Sequence, residues 1–184
     1  MTTAQSTFAP LSIDTAPEAA RGTLEGVQKK FGFVPNILGV MAHAPATLDA
    51  YLTLGSILEN TSFSPREQQL VLLAVSVENE CRYCTAAHST VLKSMLKVDA
   101  ETVAAVREGR DLPDAKQNAL VQTVREIVRE RGHVSEETVA AFTEAGYTPP
   151  QLLELLVAVA MKTITNYLDH ITPVEVEDAF AAEA

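Results

Sequence analysis

Ser64-Pro65-Arg66-Glu67 is the feature that most limits what this chain can fold into. It places a capping hydroxyl, then proline at the first helical position, then a glutamate three residues after the serine. That order satisfies the free amides of a helix start reciprocally. The run that follows, Leu70, Val71, Leu72, Leu73, Ala74, Val75 and Val77, is apolar nearly all round. Such a helix has to be covered on most sides by other elements.

The rest of the chain supplies helices to cover it. A helix is expected from Asp14 to Phe31 with Pro17 in its first turn, ended by Gly32. A turn at Phe33-Val34-Pro35-Asn36 leads into a short apolar segment, Ile37 to Ala42, and Pro45 opens a helix to about Asn60. Further starts lie at Cys81, Asp99, Pro113-Asp114, Ser135 and Pro149-Pro150, with ends near Leu96, Arg107, Arg131, Ala145 and Leu168; Pro173 is expected to begin a last acidic helix. No segment sustains period-two alternation. Aromatic residues make up only 5%, with no tryptophan, which suits close-packed helices. The expected fold is all-α, a compact multi-helix bundle in one domain spanning 1–184, with residues 1–13 as an N-terminal arm and 64–96 as a helix pair carrying the cysteines.

A net charge of −10 repels phosphates and anionic headgroups, so neither nucleic acid nor a membrane surface is an expected partner. Met1 to Ser12 has no basic and apolar leader pattern, and apolar runs such as Leu155 to Met161 are too short to span a bilayer. The expectation is a cytoplasmic protein. Both cysteines, Cys81 and Cys84, lie three residues apart and form no secreted-type framework.

At about 100° per residue, Cys81, Cys84 and His88 project from one helix face within an arc of roughly 60°. Thiolates attack peroxide oxygens and disulfide sulfurs, and a helix N-terminus, an imidazole and a second thiol all favour the thiolate. His88, one turn after Cys84, is placed to take its proton. A sulfenic acid on Cys84 would condense with Cys81. Two small buried hydrophobes are the plain alternative. Zinc is another, with Cys81, Cys84 and His88 as ligands and a fourth from His43, His133, His170 or water. Covalent haem attachment fails because Thr85, not histidine, follows Cys84, and a thioredoxin-like motif would need a preceding strand. No cofactor or metal is expected.

Ser64-Pro65-Arg66-Glu67, Ala74-Val75-Ser76, Asn79 to Cys84 and Ala86-Ala87-His88 together resemble the carboxymuconolactone decarboxylase-like superfamily, and more closely its alkylhydroperoxidase D branch. Val34-Pro35-Asn36, Ala42 to Pro45, Asn166-Tyr167 and His170 extend the likeness over about Phe31 to Phe180. The resemblance implies a homo-oligomer that reduces a hydroperoxide or disulfide and is recycled by an external dithiol. It also implies Cys84 as the attacking thiol, Cys81 as its resolving or proton-donating partner and His88 as part of a proton relay. Lactone-acting relatives do not rely on the Cys-x-x-Cys pair, and a non-catalytic redox-sensing or zinc-binding oligomer is the remaining alternative.

The branch's relay glutamate, twelve residues before the first cysteine, is here Gln69, which cannot accept a proton. Glu78 and Glu80 are candidate substitutes, though first-turn acids also serve the helix dipole. Glu67 reads as a cap. Tyr83 either covers the site or packs into a neighbouring helix, His43 and His170 are candidate pocket residues, and His133 belongs to a turn.

Overall fold

The computed structural model describes residues 8–184, in which nine α-helices and no strand are found. Of the expected N-terminal arm, residues 1–7 lie outside the described residues. The part that follows docks: Leu11 N–H donates to Gly39 O at 3.1 Å. Gly39 permits that approach, because a Cβ there would come 2.8 Å from Leu11 O.

The helices are α1 (Glu18–Phe31), α2 (Asn36–Met41), α3 (Pro45–Glu59), α4 (Pro65–Glu78), α5 (Arg82–Thr90), α6 (Ala100–Arg107), α7 (Ala115–Arg129), α8 (Glu136–Glu144) and α9 (Pro149–Ile171). Most boundaries follow from local chemistry. Ser64 and Glu67 form both halves of a capping box, and Asp99, Asp114 and Ser135 each accept an amide hydrogen bond at the start of α6, α7 and α8. The first helix begins at Glu18, after a turn at Ser12 to Ala16 in which Ser12 O accepts two amides, so Asp14 precedes the helix.

Helix α4 is the centre. Leu70 to Val75 are all buried, and α5, α6, α7 and α9 pack around them. Two apolar clusters result. One joins α4 to α6, α7, α8 and α9; the other joins α1, α2 and the start of α3 to Cys81, Tyr83, Cys84 and Val174. Tyr51 packs against both, so the cysteines lie at the seam.

The helix expected from Pro173 does not form. Residues 173–177 run without helical structure and end in turns and a short 3₁₀ turn, Ala181–Glu183. Thr172 and Val174 are buried while Pro173 and Glu175 are exposed, an alternation proper to extended chain. Asn36 holds this segment through its amide to Glu177 and its side chain to Glu175 O, and Lys93 and Arg107 both pair with Glu183. No helix of the described residues is long and apolar enough to cross a membrane.

Candidate active site

A single joint between α4 and α5 sets both thiols. Helix α4 ends with Glu80 N–H on Val77 O and Cys81 N–H on Ser76 O, both at 2.9 Å, while Glu80 takes a left-handed φ of 56°. This double bond pattern is a Schellman ending. Cys81, the residue it delivers, then serves as the N-cap of α5, its Sγ accepting the Cys84 N–H at 3.3 Å. Cys81 thus stands just ahead of the helix, with φ −84° and ψ 104°, and not on its face as expected. Proximity to Cys84 comes from capping.

Both cysteines are free and buried. The thiol of Cys81 hydrogen-bonds the Cys84 sulfur, and that bond, with the charge and hydrogen bond of Lys162 and a hydrogen bond from Thr165, holds Cys84 down to about 5 against the opposing cost of burial. Cys84 is therefore a thiolate at neutral pH. The same bond, with burial and the Cys84 charge, pushes Cys81 up, so the proton of the pair resides there. Cys81 Sγ also lies 3.4 Å from Asp169 Oδ2, a second acceptor for that proton.

Lys162 was not among the candidates from sequence. It is 1% exposed, and its Nζ sits 2.9 Å from His88 Nε2. His88 Nδ1 is 2.9 Å from Gln69 Oε1. A glutamine oxygen and an ammonium fix the tautomer: Nδ1–H donates to Gln69, and Nε2 accepts from Lys162. Burial and the Lys162 charge hold His88 well below the usual imidazole range, so the ring is neutral. The order of groups is Gln69, His88, Lys162, Cys84, with the lysine between the imidazole and the sulfur. Both ring nitrogens are thus engaged in hydrogen bonds within the protein. No group of three His, Cys, Asp or Glu able to hold a metal occurs among the described residues.

The acidic candidates go elsewhere. Glu78 pairs with Arg129 at 2.6 and 2.9 Å and lies 3.6 Å from Arg125. Glu80 is exposed and lines a recess of 270 Å³ with Cys81, Arg82, Thr85, Arg107 and Glu183. Tyr83 packs edge-on to Phe180 and donates to Glu177 at 2.8 Å, which ties α5 to the C-terminal segment. Glu67 caps α4 and also accepts from Tyr147. His43 binds Ala9 O, His170 stacks on Tyr167 at the surface, and His133 lies in an exposed turn. Tyr51 is the other group that sequence did not single out: burial, then the charges of Cys84 and Cys81, push its hydroxyl up.

The described helices, in this order, form an all-helical bundle of the alkylhydroperoxidase D-like fold. The alkylhydroperoxidase D core of Ralstonia eutropha JMP134, an uncharacterised peroxidase-related protein, superposes with a TM-score of 0.82 at 22% identity over 97% of this chain and 95% of its own. A peroxidase-related protein of Silicibacter sp. TM1040 gives 0.81 at 20% identity over 100% and 99%. The debrominase Bmp8, known without ligand and, as a cysteine-to-alanine variant, with 2,3,4-tribromopyrrole, gives 0.81 at 17% over 98% and 97%. At these identities the likeness is one of fold. A comparison with curated proteins finds no match. Residues 45–130, from the start of α3 to the end of α7, match the model of the carboxymuconolactone decarboxylase family.

Proposed function

We propose that this protein is a thiol-dependent oxidoreductase that reduces a hydroperoxide or a disulfide through Cys84 and Cys81. The observation that carries the reading is the division of one proton between two buried thiols, with Cys84 the thiolate against Lys162. A lactone decarboxylase would have no use for that division.

With a hydroperoxide, the Cys84 thiolate attacks the outer oxygen, the O–O bond breaks, and Cys84 becomes a sulfenic acid. The departing alkoxide takes a proton from the Lys162 ammonium and leaves as alcohol. Gln69 and His88 act here by orientation: the imidazole nitrogen they fix accepts from Lys162 and aims the ammonium at the sulfur. Cys81 then closes the disulfide, and an external dithiol returns the pair to its reduced state. A disulfide substrate meets the same thiolate and yields a mixed disulfide that Cys81 resolves.

The reading includes assembly into a homo-oligomer, for which Leu153 and Leu156 on α9, 68% and 49% exposed, and Ile57 on α3 supply apolar surface. Light scattering gives the mass directly. For the chemistry, Cys84→Ser is expected to abolish peroxide consumption with a dithiol reductant; turnover equal to that of the unaltered protein would sink the assignment.

A further inference from the structure

Resolution of the oxidised site leaves one proton unaccounted for. Cys81 attacks as a thiolate, yet its thiol is pushed up in this pocket. In the reduced chain its proton has two acceptors, the Cys84 sulfur and Asp169 Oδ2 at 3.4 Å. Oxidation of Cys84 removes the first, because a sulfenic sulfur no longer carries the charge that accepted the bond. Asp169 remains.

From this geometry we infer that Asp169 is the general base that takes the Cys81 thiol proton as the disulfide closes. Its placement fits the task. Lys162, Thr165, Asn166 and Asp169 follow the i, i+3, i+4, i+7 spacing of one helix face, and that face of α9 meets the cysteines. Lys162 serves Cys84 and Asp169, two turns on, serves Cys81. Asp169 Oδ1 accepts the Val174 amide at 2.9 Å, which orients the carboxylate and leaves Oδ2 to the thiol. The Cys81 main chain is fixed by its amide bond to Ser76 O.

The step balances with the groups present. The Cys81 sulfur forms a bond to the Cys84 sulfur as the S–O bond of the sulfenic acid breaks. Lys162, reprotonated from solvent after the alcohol leaves, gives a proton to the departing hydroxide, which leaves as water, while the Cys81 proton passes to Asp169. Asp169 then releases that proton and Lys162 regains one from solvent. The oxidant is the hydroperoxide that made the sulfenic acid, so this form of the step rests on the proposed function.

The test is arranged so that the two ideas fail separately. The reduced protein is mixed with 2,2′-dithiodipyridine, and release of pyridine-2-thione is followed by stopped flow. The first release reports attack by Cys84 and the second reports attack by Cys81. In Asp169→Asn, which keeps an oxygen for the Val174 amide, the first rate should stay within about twofold and the second fall by at least about tenfold. Asp169→Glu should recover most of the second rate. A second release at the unaltered rate in Asp169→Asn, or equal slowing of both releases, would overturn the assignment. Under cumene hydroperoxide, a dimedone adduct on Cys84 should accumulate in Asp169→Asn above the unaltered protein. Should no adduct form in either protein while the disulfide probe behaves as expected, the peroxidase reading falls and the role of Asp169 stands.

Discussion

Lys162 is the one charged residue between Glu154 and Asp169 on α9, and it is buried against a neutral imidazole and a thiolate. A buried lysine needs such partners, since an isolated buried ammonium is costly. Replacing it by methionine keeps the volume and removes the charge. Cys84 should then titrate higher, and its alkylation by iodoacetamide at neutral pH should slow by about tenfold or more. Unchanged alkylation would show that the lysine does not hold the thiolate. Cys81, Cys84, His88 and Gln69 were legible in sequence because they lie within twenty residues, on two consecutive helices and the joint between them. Lys162 and Asp169 were not, because which face of α9 meets α5 is decided by packing between segments some eighty residues apart. The lone lysine in an apolar run was the available signal.

At the scale of elements, the helix starts were readable wherever a side chain does the capping. Ser64→Ala should cost about 1 kcal/mol in thermal or urea unfolding, because it removes one half of the box that starts the central helix. The joint after α4 was less legible, since nothing in Glu78-Asn79-Glu80 marks the left-handed residue as a glycine would. Glu80 holds that conformation at φ 56° with its side chain exposed. Glu80→Gly should therefore leave stability unchanged or raise it by up to about 1 kcal/mol; a clear loss on thermal melting would mean that the carboxylate is needed at the recess. The C-terminal segment was misread because Pro173 and its acids look like a helix start. The alternation of buried Thr172 and Val174 with exposed Pro173 and Glu175 was the stronger pattern, and the clamp of Glu183 by Lys93 and Arg107 is tertiary. The π turn at Val91–Met95, which widens the end of α5, carries no sequence mark either.

For the molecule as a whole, the depressed Cys84 makes folding depend on pH in a predictable direction. In the unfolded chain this thiol returns to the ordinary value near 8.5, so between about 5 and 8.5 the unfolded state binds one more proton than the folded one. Cys81, pushed up when folded, stays a thiol in both states over most of that window. The reduced protein should gain stability as pH rises through this range and lose it as pH falls toward 5. Urea midpoints of the unaltered protein and Cys84→Ser at about pH 5.5 and 8 would diverge accordingly, and parallel midpoints would contradict the thiolate.

The ammonium of Lys162 has a consequence for electron flow. Whatever free energy it invests in the Cys84 thiolate is present only while the pair is reduced, and a disulfide offers that charge nothing to hold. Oxidation therefore leaves a buried cation without its anion. If the proposed disulfide forms, it should be a ready acceptor of electrons and should melt below the reduced form, in which the thiolate and the ammonium face each other.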